Sequence, residues 1–310
     1  MLSYARVSRY PRRFLALTGY TVREFQALLP YFQARFESHM ATTTLRGQPR
    51  TGRRYSTYHN AQLPTIEDKL LFILVYLKHG ALQEVHATLF GLHQPDANRW
   101  IHLLHPLLNQ ALADQGALPA RDAAAVELPK GLYLHDGTER AIVRPTATEA
   151  QRTYYSGKKK QHTVKNLVVV NAWCRIVWLS ATCEGKKHDK KAADEAHYRF
   201  PEDSTLCQDP GFQGFAVPGV TILQPKKKPR GQELSPEDQA RNRAISAIRI
   251  RIEHAIGGVK RYRIVKDKLR NWKGGFRDQV METCCGLHNF RLRFRPWRRV
   301  AITTAMTSRR

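Results

Sequence analysis

The sequence predicts a mixed α/β domain, a sheet covered by helices, preceded by an all-α helix-turn-helix region. Three observations carry this reading. From Gly131 onward, apolar and β-branched residues fall into short strand-like segments separated by glycine, proline and charged turns. Those segments run strand, strand, strand, helix, strand, strand, helix, the order of a layered α/β fold. Before residue 110 the apolar residues recur at helical spacing, between recognisable caps.

The first expected element is a helix over 14–39, with "TVRE" (21–24) as a capping box in which Thr21 stands three residues before Glu24. Residues 41–62 are rich in Thr, Arg and Gly and lack aliphatic periodicity, so 1–62 is expected to be a basic helix and linker. A helix follows, N-capped by Thr65 and closed by Gly80. Leu82, Val85, Leu89 and Phe90 then make a short apolar stripe, Gly91 breaks it, and Trp100, Ile101, Leu104 and Leu107 make a second. Helix, glycine turn, helix over 63–110 predicts a helix-turn-helix, or else a small helical bundle for protein contacts. Residues 111–130 read as a connector.

Within 131–290 the expected strands are 131–143, 162–174, 175–185, 205–209 and 220–225, with helices over 189–200 and 235–265. Ser235 is the N-cap of the last of these and Pro236 its first residue. "CCGLHNFRLRF" (284–294) reads as a closing helix, and 291–310 as a basic tail.

Charge narrows the partner. The chain carries 51 Lys and Arg against 26 Asp and Glu, a formal net charge of +25, which favours a polyanion and nucleic acid first. Residues 1–60 hold ten basic and two acidic residues, whereas 61–130 hold five and seven. The longest apolar run, "LLFILVYL" (70–77), is far below the ~20 residues of a bilayer span, and no signal peptide is visible. A cytoplasmic, nucleoid-associated protein is expected. Five cysteines without C-x-x-C spacing read as reduced structural thiols, not as a zinc site.

Three carboxylates stand out in this basic chain: Asp136 before Gly137, Asp209 before Pro210-Gly211, and Glu253 inside the last long helix. The bland reading makes the two aspartates turn caps and pairs Glu253 with Arg249 at i−4. The alternative brings strand-end acids and a helical acid together as hard oxygen ligands for Mg²⁺, with Mn²⁺ as a substitute. Two such ions ~4 Å apart serve phosphodiester cleavage. Gly257 and Gly258 each cost about 1 kcal/mol inside a helix, which close approach of a backbone or of DNA would explain.

In that order along the chain, "DGTE", "YYSGKKKQHTVKN", "GKKHD", "CQDPGFQG" and "RIRIEHAIGGVKRYRIV" resemble the bacterial insertion-sequence DDE transposases related to the Harbinger elements, and most narrowly the group of insertion sequence five. The resemblance covers 131–290 closely and the helix-turn-helix loosely. It implies an RNase H-like catalytic domain with Asp136, Asp209 and Glu253 as catalytic and metal-binding residues, holding two ions. It also implies cleavage of transposon ends and joining of their 3′-hydroxyls to target DNA, by a homodimer or higher oligomer on DNA. A supporting role for His188 or Asp189 follows from the same likeness. The rival readings are a stand-alone metal-dependent endonuclease and a non-catalytic DNA-binding protein.

Expected DNA contacts are Lys158, Lys159 and Lys160 in "GKKKQ", Lys226, Lys227 and Lys228 in "PKKKPRGQ", and Arg249 and Lys260 on the strip of Glu253. Gln94, Asn98 and Arg99 stand where the second helix of such a motif reads base edges. Tyr262, Trp272, Phe276 and Trp297 are candidates for base stacking, with ordinary packing as the plainer reading.

Overall fold

The computed structural model describes residues 1–58, 61–122, 128–197, 199–271 and 273–300. Six helices come first: α1 (Tyr4–Val7), α2 (Pro11–Thr18), α3 (Val22–Thr42), α4 (Ile66–His79), α5 (Gln83–Phe90) and α6 (Gln94–Asp114). The sheet region holds β1 (Leu132–Ala141), α7 (Thr148–Tyr154), β2 (Tyr155–Ser156), β3 (Gln161–Asn171), β4 (Ile176–Leu179) and β5 (Cys183–Glu184). It continues with α8 (Asp189–Ala196), β6 (Thr205–Cys207), a 3-10 turn (Pro210–Phe212), β7 (Thr221–Leu223) and α9 (Pro236–Val259). Helices α10 (Arg263–Lys266) and α11 (Phe276–Leu292) close the described chain.

Packing divides these elements into two units. The helical unit takes Met1–Leu118, Val259–Asp267 and Asn271–Phe294. The sheet unit takes Pro119–Gly258, Lys268–Arg270 and the described residues from Arg295. The 131–290 block expected from sequence is thus divided, because α10 and α11 pack with the N-terminal helices.

In the helical unit the apolar run 70–77 is one helix buried on every side, α4. Thr65 Oγ1 caps it by accepting from Asp68 N (3.1 Å), and Gly80 ends it in the left-handed region. Thr21 and Glu24 form the expected capping box. The single helix expected over 14–39 is instead two, since Gly19 at φ +82° terminates α2. Helix α11 enters this core from the far end of the chain. Tyr20 Oη donates to Leu287 O (2.7 Å), Asn109 Nδ2 donates to Thr283 Oγ1 (3.0 Å), and Asn289 Nδ2 donates to Ala117 O (2.9 Å).

Of the stripe expected on α5 only Phe90 faces the core: Leu82, Val85 and Leu89 are exposed, and His86 and Ala87 are buried beside Phe90. The reason is His86, whose ring packs 4.3 Å from Phe72 and 5.1 Å from Phe90 between centroids. Burial pushes its pKa down to about 3, so it packs as a neutral aromatic.

The sheet runs β2-β3-β1-β6-β7, with β4 and β5 also paired to β3. β1 and β3 are antiparallel over nine residue pairs, whereas β1, β6 and β7 are mutually parallel. Tyr133, Leu167, Trp178, Ala193, Leu206 and Phe212 belong to the core that α8 covers. Helix α9 buries Ile245, Ile248 and Ile252 at helical spacing. It starts as expected, with Ser235 Oγ accepting from Asp238 N (3.1 Å), but stops at Val259 short of α10. α7 and β2 had no counterpart in the expected elements.

Candidate active site

The register of two parallel strands sets the site. The last residues paired between β1 and β6 are Leu134 and Cys207. Asp136 and Asp209 each lie two residues further, so parallel pairing carries both acids to the same level of adjacent chains. Asp136 is not at a strand end, as expected, but inside β1, opposite Val168 of β3. It is the partner strand, β6, that ends, at Cys207.

Burial raises the Asp136 carboxyl to about 6. The Gly137 N–H, which donates to Asp136 Oδ1 (2.7 Å), opposes that rise, while the charge of Asp209, and to a lesser degree that of Asp189, adds to it. Asp209 has a divided role. Its Oδ1 accepts from Gly211 N (2.6 Å) and caps the 3-10 turn, and its Oδ2 lies 3.5 Å from Arg249 Nη2. Gln224 Nε2 donates to the Asp209 carbonyl (2.7 Å) and fixes the backbone there.

Behind the pair lie His135, Gln208 and Lys165, which the sequence did not single out, together with Asp189, for which the resemblance implied a supporting role. His135 Nε2 is 3.0 Å from Gln208 Oε1, and the His135 ring stacks 3.9 Å from Phe212. Lys165 Nζ, buried, donates to Asp189 Oδ1 (2.8 Å) and to Lys187 O (2.7 Å), with Glu139 Oε1 at 3.9 Å. Asp189 fills the room that two glycines leave. A Cβ on Gly137 would stand 2.6 Å from Asp189 Oδ1, and one on Gly211 3.2 Å from Asp189 Oδ2. The Glu139–Lys165 pairing across β1 and β3 was the available signal, but only the register reveals it.

Glu253 is exposed on α9, one turn beyond Arg249. Among the described residues no three His, Cys, Asp or Glu side chains stand close enough to hold a metal ion, so Glu253 is not gathered with the two aspartates into a ligand cluster. Two carboxylates with their charges in conflict nevertheless offer the hard oxygen donors that a divalent cation takes.

A family model described as "DDE superfamily endonuclease" matches residues 135–289, half of the chain. The chain belongs to the DDE superfamily endonucleases. It is therefore an enzyme of the nuclease class, in a superfamily that generally uses divalent metal ions. A second model, "Helix-turn-helix of DDE superfamily endonuclease", matches 61–114, the span of α4 to α6, and makes this region DNA-binding. The "Probable transposase for insertion sequence element IS702" of Microchaete diplosiphon is 25% identical over 230 residues, 73% of this chain and 81% of that protein. The "Putative transposase for insertion sequence element IS112" of Streptomyces albus G is 26% identical over 205 residues, 65% and 72% of the two chains. No solved structure matches.

In this endonuclease the expected DNA contacts fall into distinct settings. Lys158, Lys159 and Lys160 are exposed in the turn between β2 and β3. Lys226 and Lys228 are exposed but paired, with Asp238 (2.5 Å) and Glu233 respectively, which leaves Lys227 between them. Arg249 is engaged with Asp209, and Lys260 follows the end of α9. Gln94 and Asn98 both donate to Gln83 Oε1 (2.7 and 3.0 Å), and Arg99 pairs with Asp96. All three thus have a partner within this helical region. Tyr262 and Phe276 are buried, which is the plainer reading of packing, and Trp272 lies outside the described residues. Trp297 packs against His254 (5.6 Å) and under Arg251 (5.2 Å). No helix is long and apolar enough to cross a membrane among the described residues.

Proposed function

We propose that this endonuclease is a DNA transposase that cuts the ends of its own element and joins their 3′-hydroxyls to target DNA. The observation that carries the reading is the parallel register that sets Asp136 beside Asp209, with Asp136 raised by burial and by its acidic neighbours. The strand order β4-β3-β1-β6-β7, with only β3 antiparallel to the central strand, supports an RNase H-like domain.

Asp136 and Asp209 would hold Mg²⁺, or Mn²⁺ in its place, with Glu253 as the third ligand. Arg249 supports that role for Glu253, since its contact with Asp209 brings this strip of α9 to the Asp209 turn. Two such ions, when bound, supply activation of a water or a 3′-hydroxyl and stabilisation of the leaving oxygen. The protein's own part is to hold the acids in register, to keep the Asp209 turn rigid through Gly211 and Gln224, and to receive phosphates on exposed lysines. Action as a homodimer or larger assembly on DNA, in the nucleoid, belongs to the same reading.

The test is cleavage and joining of duplexes bearing the inverted repeats that flank the gene. Wild type should give Mg²⁺-dependent products with 3′-hydroxyl ends, followed by joined products. Asp136→Asn, Asp209→Asn and Glu253→Gln should each abolish cleavage while DNA binding persists. Near-normal cleavage by Asp209→Asn would overturn the site, and cleavage without joining would leave a plain endonuclease.

A further inference from the structure

The first 18 residues carry four arginines and no acidic residue. They are fastened to the helix-turn-helix at three points. Leu2 N donates to Leu89 O in the last turn of α5 (2.8 Å), and Tyr4 N donates to Asp68 Oδ1 in the first turn of α4 (2.7 Å). Met1 lies on the turn between α5 and α6, where a Cβ on Gly91 would stand 1.8 Å from its Sδ. Gly91 also holds φ +68°, so this position is closed to a side chain twice over.

The segment fixed in this way presents its cations to solvent. Arg6, Arg9, Arg12 and Arg13 are all exposed. Arg6, Arg9, Arg13 and Tyr10 line a cavity of about 550 Å³ whose remaining wall includes Met1 and Leu89. Other arginines of the helical unit are paired with carboxylates, among them Arg35 with Asp114 and Arg99 with Asp96. These four have no carboxylate partner among the described residues. Arg6 donates to Met1 O (3.1 Å), and the Arg13 guanidinium lies 5.1 Å from the Tyr10 ring centre.

A helix-turn-helix with five basic and seven acidic residues over 61–130 supplies little attraction for a polyanion. We propose that α1 and α2 form a phosphate clamp for duplex DNA, placed beside the helix-turn-helix and supplying the positive charge that region lacks. The arm is preorganised, so little ordering cost falls on binding. Arginine suits the task because its planar fork takes two phosphate oxygens at once. The clamp rests on the DNA-binding reading of residues 61–114.

The experiment uses the full chain, a random-sequence duplex and fluorescence anisotropy across a salt series. Replacing Arg6, Arg9, Arg12 and Arg13 together by alanine should weaken binding and flatten the log–log salt slope. Every phosphate that is no longer neutralised takes about 0.9 off the slope, so a fall of roughly 2 to 4 is expected. The four-lysine variant should restore most of the slope, which a merely structural role for the arm would not produce. If wild type binds and the alanine variant keeps its slope, the clamp is overturned and the helix-turn-helix reading survives. If wild type shows no salt-dependent binding, that reading fails and the clamp with it. Loss of binding to phosphatidylserine vesicles with an unchanged DNA slope would make this a membrane surface and end the proposal.

Discussion

His135 and Gln208 are hydrogen-bonded side chain to side chain across β1 and β6, and each immediately precedes a candidate catalytic aspartate. Gln208 Nε2 donates to the carbonyls of Phe212 and Phe215, which leaves Oε1 as acceptor and puts the His135 proton on Nε2. One bridge therefore locks both strands and the turn after Asp209. Gln208→Leu should strand a buried imidazole N–H, at about 1–3 kcal/mol. Cleavage should fall by more than tenfold while duplex binding stays intact. Unchanged cleavage in a folded Gln208→Leu protein would show that the bridge does not position the acids.

Lys165 supplies the buried positive charge for Asp189 and Glu139. Lys165→Met removes it and with it the ion pair to Asp189, a change expected to cost about 3–5 kcal/mol. Gly137→Ala tests the same arrangement from the other side, because the new methyl meets an Asp189 oxygen that Lys165 holds in place. Urea denaturation of both variants checks the pair. A shift below about 1 kcal/mol in each would mean that Asp189 moves freely.

Lysines in the two basic loops should differ in their effect on DNA binding. Lys226 and Lys228 already have carboxylate partners, whereas no such pair engages Lys158, Lys159 or Lys160 among the described residues. Alanine at 158–160 should therefore lower the salt slope by up to about 2.7, and alanine at 226–228 by closer to about 0.9. Equal falls would show that DNA displaces Asp238 and Glu233.

Acid should weaken the helical unit through His86 and His105, both buried and pushed down to about 3. The unfolded chain takes up their protons as pH falls through 6.5, and the folded chain does not until near 3. Stability from these groups is whole above about pH 6.5 and is lost on the way down. At pH 5 the loss is about 2 kcal/mol for each. In His86→Phe the difference in unfolding free energy between pH 7.5 and 5 should shrink by about that amount, and no change would place the acid sensitivity elsewhere.

The succession of strands and helices after Gly131 was legible because β-branched runs and turn residues mark it directly. α7 was not, since it has no buried residue and so no apolar period. On α5 a histidine replaced the aliphatic residues as the core-facing group, and hydropathy cannot announce a neutral imidazole. The pairing of Asp136 with Asp209 could be expected from motifs. Asp189 was named by the same motifs, but its partner Lys165 and the facing of Lys165 with Glu139 were not legible, because that pairing exists only once β1 and β3 have found their register.

The helical unit draws on both ends of the polypeptide, and this orders events on the ribosome. Tyr20 waits for Leu287, and Ala117 waits for Asn289, each across a sheet unit that has to be translated in between. At ordinary elongation rates of about 5–20 residues per second the wait is roughly 10 to 30 s for Ala117 and roughly 13 to 50 s for Tyr20. During it α4, apolar on every side, lacks part of its cover, while the strands of the sheet already have all their partners. A nascent chain released before α11 would thus hold Asp136 and Asp209 on strands already in register, while the helical unit still lacked the contacts of Leu287 and Asn289.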